Sequence, residues 1–180
     1  MEYIEAFMDL YTNAIKTRMR SLHPICTTLS GGLDSGSVTT IAAKLQKEKG
    51  KQLTAFTSVP ICDVDNFVSK QLFGDEMPFA KATADYAGNV DIHPISAENT
   101  SPLAGIKRSL DIHEEPGHAA GNAFWIVSLL DTAKSMGFGT LLTGQSGNAV
   151  VSWHGSGYLA SVFKKRQWNL LCRELTAWSS

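Results

Sequence analysis

A glycine- and serine-rich segment at positions 29–37, Leu-Ser-Gly-Gly-Leu-Asp-Ser-Gly-Ser, carries residue types that bind anions. Its adjacent glycines, Gly31 and Gly32, allow a tight turn and a close approach of the backbone to a ligand. The hydroxyl groups of Ser30 and Ser35 add hydrogen-bond donors. Because the first N–H groups of the following helix are free and its dipole is positive there, we predict a phosphate site.

Asp34 distinguishes this segment from a Walker A loop, in which a lysine follows the glycine and reaches the outer phosphates. An acid beside a phosphate site is explained if it binds a cation, and Mg²⁺ prefers carboxylate and phosphate oxygens as ligands. The alternative is an ordinary glycine-rich turn that caps a helix. The complete pattern, placed between an apolar run and a helical repeat, favours nucleotide binding.

The surrounding elements predict an α/β fold with a mainly parallel sheet and helices on both faces. The predicted helices cover residues 2–21, 35–49, 76–86, 101–111, 122–136 and 158–178, and the predicted strands 24–29, 52–58, 90–95 and 139–143. Ligands bind beyond the carboxyl ends of such strands. A second glycine- and serine-rich loop, residues 144–157, follows the last strand, so we expect both loops at the same edge of the sheet.

Length and composition restrict the class of protein. The 180 residues correspond to one domain, and a net charge of −1 gives no electrostatic basis for binding nucleic acid. We expect no membrane partner, because no apolar run approaches the length of a span and no signal peptide precedes the first helix. Three cysteines without a CxxC pair indicate reduced thiols in a cytoplasmic protein.

The pattern Ser-Gly-Gly-x-Asp-Ser resembles the pyrophosphate loop of the ATP pyrophosphatases, which split ATP between its α and β phosphates. Placed directly after a helix with a basic end (residues 14–20), it is similar to the synthetase domain of the asparagine synthetase family. That family includes the β-lactam synthetases and the lasso-peptide cyclases. The resemblance covers residues 5–160 and implies an adenine nucleotide α-hydrolase-like fold. It also implies an AMP-forming ligase that uses ATP to adenylate a small, aspartate-like carboxylate.

The same resemblance implies roles for individual residues. The first loop would hold the β and γ phosphates through Ser30, Gly31, Gly32, Asp34 and Ser35, with Asp34 binding Mg²⁺ and contributing to catalysis. Thr28 or Leu29, and Ser58 or Val59, would lie against the adenosine. On the second loop, Thr143 and Gly144 would contact the nucleotide, and Gly144 would let the backbone approach it.

The second loop departs from the family pattern Ser-Gly-Glu-Gly-x-Asp-Glu. Gln145 stands at the position of the usual glutamate, Asn148 at that of the usual metal-binding aspartate, and Ala149 at that of the next glutamate. An amide is a poor general base near neutral pH, so Gln145 is a candidate catalytic residue with weakened chemistry. Asn148 remains a candidate metal ligand, because its carbonyl oxygen offers Mg²⁺ a contact without charge.

These departures leave alternatives open. The domain would bind nucleotide with little or no turnover, or serve in assembly, or belong to another pyrophosphatase enzyme related to NAD or GMP synthetase. Amidotransferases of the family begin with a glutaminase domain, which we do not expect in residues 1–180 because residue 2 is Glu2. We expect a single domain lacking its C-terminal part, with a separate glutaminase domain or a second copy as partner.

Other polar and aromatic residues have ordinary explanations that we favour. We expect residues 113–118 to form a polar loop rather than a zinc site. A substrate-facing role for Glu114 or Glu115 is left open. A ligand contact by His154 is also left open. Asp75 and Glu76 would cap the helix that follows them. Four tryptophans, Trp125, Trp153, Trp168 and Trp178, would serve packing. Residues 164–166, Lys-Lys-Arg, would form a solvated helix face.

Overall fold

In a computed structural model of the chain, the structure describes residues 2–64, 73–115, 117, 120–153, 155 and 157–178. His118, His154 and most of the predicted loop 63–74 lie outside the described residues. The chain forms two compact units, Met1–Gln145 and Ser146–Ser180. The first unit contains the sheet and the glycine-rich loop, and the second contains two helices.

The first unit alternates helices and strands. Its elements are α1 (Glu2–Arg18), β1 (Ile25–Thr28), α2 (Leu33–Lys47), β2 (Leu53–Ser58), α3 (Met77–Ala87), β3 (Val90–Ile95), α4 (Pro102–His113), α5 (Ala123–Ser135) and β4 (Thr140–Leu142). The four strands form one sheet in the order β3-β2-β1-β4, and every pair is parallel. The predicted α/β class with a mainly parallel sheet is confirmed.

The strand order reverses at β1. The chain moves outward from β1 to β2 and β3, and then returns to place β4 on the opposite side of β1. In the resulting register, Cys26 of β1 lies between Thr54 of β2 and Leu141 of β4. Such a reversal is a topological switch point, where the loops after the two neighbouring strands separate and leave a crevice for a ligand.

Side chains of the strands alternate between two packed faces. On one face, Ile25 and Leu53 cluster with Val38 and Ala42 of α2, and Ala55 clusters with Ala80 and Ala84 of α3. On the other face, Cys26 and Phe56 cluster with Leu129 and Ala133 of α5. This alternation, one residue to each face, is the period of a strand buried on both sides. The prediction of helices on both faces is confirmed.

Local sequence signals account for several helix ends. Helix α4 begins at Pro102, and the Oγ of Ser101 accepts the N–H of Ala104, as expected of an N-cap. Helix α3 ends at Gly88, which has a φ of 75°. Helix α1 ends at Arg18, three residues before its predicted end. Within the described ranges, no helix combines the length and apolarity needed to cross a membrane.

The prediction of one continuous helix over residues 158–178 is wrong. The second unit has two helices, α6 (Tyr158–Lys164) and α7 (Trp168–Trp178), separated by a turn at Arg166 with a φ of 56°. The N–H groups of Arg166 and Gln167 bond to carbonyls of α6, and the rings of Phe163 and Trp168 pack edge to face. Lys165 and Arg166 therefore belong to an exposed turn and not to a helix face.

The thiol of Cys26 is fully buried on β1, whereas Cys62 and Cys172 are exposed. Burial raises the pKa of Cys26 to about 12, because a thiolate there would lose its hydration. We predict that an aromatic disulfide reagent at mildly alkaline pH modifies Cys62 and Cys172 in the folded chain, and Cys26 only after unfolding. Cys26→Ala should leave unchanged the fast phase of the reaction, in which the two exposed cysteines are modified. Rapid modification of Cys26 in the folded chain would contradict its burial.

Candidate functional site

The glycine-rich segment forms a tight loop between β1 and α2, so the predicted strand–turn–helix arrangement is confirmed. The Oγ atoms of Ser30 and Ser35 lie 2.7 Å apart, and the Oγ of Ser35 also accepts the N–H of Ser30 at 2.9 Å. The Oγ of Ser30 accepts the N–H of Gly32 at 3.2 Å. The two hydroxyls thus close the loop on itself and hold both side chains at the start of α2.

The N-terminus of α2 is open to a ligand. Gly32 is its N-cap residue and supplies no side-chain oxygen to the first N–H groups of the helix. Uncapped N–H groups at the start of a helix require another hydrogen-bond acceptor, and the helix dipole favours a negatively charged acceptor there. This arrangement fits a phosphate group.

Glu76, at the start of α3, contacts this loop. Its Oε2 accepts the N–H of Gly31 at 3.4 Å, so one donor of the loop already faces a carboxylate. A side chain at position 31 would be crowded, because its Cβ would lie 3.0 Å from the Cβ of Phe79. The N-cap residue of α3 is Glu76 and not the predicted Asp75, and the Glu76 side chain makes no cap bond. The Oδ1 of Asp75 does accept the N–H of Met77, the first residue of α3, at 2.9 Å. The contact between Glu76 and Gly31 was not predicted.

Asp34 lies in the first turn of α2 and is half-buried. Its Oδ1 is buried and has no hydrogen-bond partner among the described residues. A buried carboxylate oxygen without a partner costs free energy, and a bound cation would remove that cost. The position and chemistry of Asp34 therefore fit the predicted Mg²⁺.

The second loop begins directly against the first. A Cβ on Gly144 would lie 2.4 Å from the backbone N of Ser35 and 2.6 Å from the carbonyl carbon of Asp34. Only glycine allows this approach, which joins the two loops at the switch point. In the structure, the backbone of Gly144 makes its close approach to α2. Its predicted contact with a nucleotide remains a prediction.

Asn148 belongs to the second unit and is exposed in a short helical turn, Gly147–Ala149. Its Oδ1 accepts the hydroxyl of Ser152 at 3.0 Å. The carbonyl oxygen predicted to bind Mg²⁺ thus has a partner within its own loop, and the metal-binding role remains a prediction. In the described part of the chain, no group of three or more His, Cys, Asp or Glu side chains could hold a metal.

A cleft of about 980 Å³ opens at the carboxyl ends of the strands. Its volume is near the upper end of the range of small-molecule pockets, roughly 300–1,000 Å³. The predicted residues that line it are Thr28, Leu29, Ser30, Gly32, Asp34, Ser35, Ser58, Val59, Thr143, Gly144 and Gln145. Two predicted site residues are not among those that line the cleft: Gly31 faces Phe79, and Asn148 lies in the second unit. The structure thus brings most of the predicted site residues to one cleft.

The sequence did not predict the apolar side of this cleft. Helix α5 contributes Phe124, Trp125, Ile126, Leu129 and Leu130, which face the same space as the glycine-rich loop. Trp125 packs against the core on this side of the sheet, as predicted, but it also lines the cleft. Because α5 is apolar around most of its circumference, hydrophobic periodicity alone did not indicate which residues face a ligand.

Several other candidate residues lie elsewhere. Glu114 ends α4 in a left-handed conformation, and neither it nor Glu115 occurs among the described residues that line the cleft. Trp168 packs edge to face against Phe163, which fits a packing role. Trp153 is half exposed, so its predicted packing role has little support among the described residues.

Comparison with known sequences agrees with the fold and the loop. The profile of the asparagine synthase family matches residues 6–177, nearly the whole chain. The chain therefore belongs to the asparagine synthase family, and the resemblance seen in the first loop is confirmed.

Two curated relatives are similar to this chain. The amidase chyE of Penicillium rubens is 27% identical over 160 residues, which are 87% of this chain and 23% of that protein. The amidase chry2 of Gibberella zeae is 25% identical over 160 residues, again 87% of this chain and 23% of that protein. The chain thus spans about a quarter of the length of these relatives.

Proposed function

We propose that this chain is the nucleotide-binding core of an ATP-dependent, AMP-forming ligase. The observation that carries the proposal is the buried Oδ1 of Asp34, which has no hydrogen-bond partner among the described residues. It lies beside the start of α2, whose N-cap residue offers no side-chain bond, at the switch point of a parallel sheet. Phosphates and a divalent cation together satisfy both features. Membership in the asparagine synthase family supports the same assignment.

In the proposed reaction, a carboxylate oxygen attacks the α phosphorus of ATP. The bond from that phosphorus to the oxygen bridging the β phosphorus breaks, and pyrophosphate leaves. An amine then attacks the acyl carbon, AMP leaves, and the nitrogen loses a proton as the amide forms. Both curated relatives carry the name amidase, which denotes cleavage of an amide bond, whereas the reaction proposed here forms one.

The described residues would act mainly by positioning. The hydroxyls of Ser30 and Ser35 and the N–H groups of α2 would hold the β and γ phosphates, while Asp34 would hold Mg²⁺. Bound Mg²⁺ supplies positive charge that offsets the charge of the pyrophosphate group. The adenosine would lie against Thr28 or Leu29 and Ser58 or Val59, which border the same cleft. Orientation and charge neutralisation are the usual sources of rate in phosphoryl and nucleotidyl transfer.

A second candidate function is nucleotide binding without turnover. Gln145 lines the cleft at the position of a family glutamate but is a poor proton acceptor, and the Asn148 carbonyl is engaged by Ser152. Turnover would therefore require the incoming amine to lose its proton to solvent or to a group supplied from elsewhere. A separate glutaminase domain or a second copy of the chain remains our proposal for the partner.

Product analysis separates these functions. The chain is incubated with Mg²⁺, ATP, ammonium and a panel of carboxylic acids, and nucleotides are separated by chromatography. We expect AMP and pyrophosphate in equal amounts, formed only when an acid is present; reactions without acid are the control. ATP binding without products would favour the second candidate. ADP and phosphate as the products would contradict the AMP-forming reaction.

Removing the charge of Glu76 should strengthen ATP binding. Because its carboxylate contacts the N–H of Gly31, it repels a phosphate at the same loop. The side chain is exposed and solvent screens it, so we expect Glu76→Gln to lower the Kd of Mg²⁺–ATP by about threefold. The matched control is Asp85→Asn, an exposed acid on the same helix. Equal effects of both variants in a calorimetric titration would assign the change to net charge alone.

A further inference from the structure

The cleft has two chemically different sides. Its polar part consists of the glycine-rich loop and the residues after β4, and its apolar part includes Ile61, Phe73 and a wall formed by Trp125, Ile126 and Leu130 of α5. Ile126 is 43% exposed and Leu130 is 49% exposed, although both line a concave site. An apolar group bound in the cleft would remove this surface from water, which is favourable.

Helix α5, which carries the wall, packs closely against α4 and the core. A Cβ on Gly105 of α4 would lie 2.5 Å from the backbone of Phe124, so the two helices touch where α5 begins. Arg108 of α4 forms a two-pronged ion pair with Asp131 of α5. Leu129 is buried in the core beneath the wall. The apolar side is therefore a preorganised surface, which lowers the entropic cost of binding.

Charge in the cleft also restricts the ligand. Among the described lining residues, the charged side chains are Asp34 and Glu76, and both are acidic. ATP would add further negative charge at the loop. A dicarboxylate such as aspartate would bring a second anionic group into this field, whereas a monocarboxylate needs only its reacting carboxylate near the phosphates.

Resting on the function proposed above, we propose that the acid substrate is a monocarboxylic acid with an aromatic or branched aliphatic body. Its carboxylate points towards the first loop, and its apolar body packs against Trp125, Ile126 and Leu130. This substrate class would use a part of the cleft that none of the proposed nucleotide contacts occupies. It differs from the aspartate-like acid that the family resemblance implies.

The test compares acids and wall variants by calorimetry on the full chain, with Mg²⁺ and a nonhydrolysable α,β-methylene analogue of ATP present. The acids are 3-phenylpropanoate and aspartate. The variant pair is Ile126→Asn with Leu130→Asn, two exposed positions chosen to preserve folding. The matched control is Leu103→Asn with Ile112→Asn on α4, two exposed apolar residues that are not among those lining the cleft.

We expect 3-phenylpropanoate to bind about tenfold more tightly than aspartate and the wall variant to weaken it by about fivefold. The control variant and the affinity for the ATP analogue should not change. Tighter binding of aspartate, no binding of 3-phenylpropanoate, or equal affinities of the wall variant and wild type would overturn the proposal. A loss of analogue affinity in the folded wall variant would assign the wall to the nucleotide and also overturn it.

Two further measurements keep this test independent of the proposed function and of folding. If the ATP analogue does not bind, the proposed function fails, and titration of the acids alone still decides whether the wall binds an apolar acid. Saturation-transfer NMR on the wild-type chain needs no variant. Strong transfer to the ring protons of 3-phenylpropanoate supports the apolar contact, and absence of transfer overturns it.

Discussion

Asp34→Asn is expected to weaken Mg²⁺–ATP binding by about 100-fold, because a carboxylate in contact with a divalent cation contributes several kcal/mol even when solvent screens the pair. The affinity for ATP without Mg²⁺ should stay the same or rise, since a negative charge near the phosphates is removed. The folded chain should not lose stability, because Oδ1 of Asp34 is buried without a partner among the described residues. Calorimetric titrations with and without Mg²⁺ measure both affinities.

The matched control for Asp34 is Asp9→Asn, an exposed acid on α1 that makes the same change in net charge. It should leave both affinities within experimental scatter. Equal losses for Asp34→Asn with and without Mg²⁺ would show that Asp34 supports the loop and does not bind the metal.

Gly144→Ala is expected to destabilise the chain by about 3 kcal/mol and to abolish nucleotide binding. The added methyl group would meet backbone atoms of Asp34 and Ser35 at 2.4 to 2.8 Å, and backbone atoms cannot rotate away as a side chain can. Either β4 or the start of α2 must shift, which separates the two loops. Denaturant unfolding gives the change in stability, and titration with Mg²⁺–ATP gives the change in binding.

Gly121→Ala is the control for this substitution. A Cβ at Gly121 would find no neighbouring atom within 4 Å, and its φ is not in the left-handed region. The same chemical change should therefore cost little there. Comparable stability of the two alanine variants would contradict the close contact between Gly144 and α2.

Much of the fold could be predicted because local patterns and tertiary packing agree in the first unit. The bounds of β3 were predicted correctly, and Gly88 and Ser101 end and begin helices as their residue types indicate. The break between α6 and α7 was missed because neither glycine nor proline marks it. A left-handed Arg166 and the packing of Phe163 on Trp168 interrupt a pattern that reads as one helix.

The candidate site was predicted in part. The motif predicted that both glycine-rich loops lie at one edge of the sheet, since each follows a parallel strand. The contact of Gly144 with α2 joins residues more than a hundred positions apart, and no spacing rule reports it. Gly31 and Glu76 are 45 positions apart, and no spacing rule reports the contact between the N–H of Gly31 and the Glu76 carboxylate either. The wall on α5 was missed because every apolar residue of a strongly apolar helix predicts core packing equally well.

In the function proposed above, the loop between β1 and α2 holds the phosphates of ATP. The most direct measurement is a crystal structure of the chain with Mg²⁺ and the α,β-methylene analogue of ATP. We predict electron density for the β and γ phosphates over the N-terminus of α2, within hydrogen-bond distance of Ser30 and Ser35, and a metal ion in contact with Asp34. Phosphates bound elsewhere, or an empty loop at saturating nucleotide, would contradict a phosphate site at the start of α2.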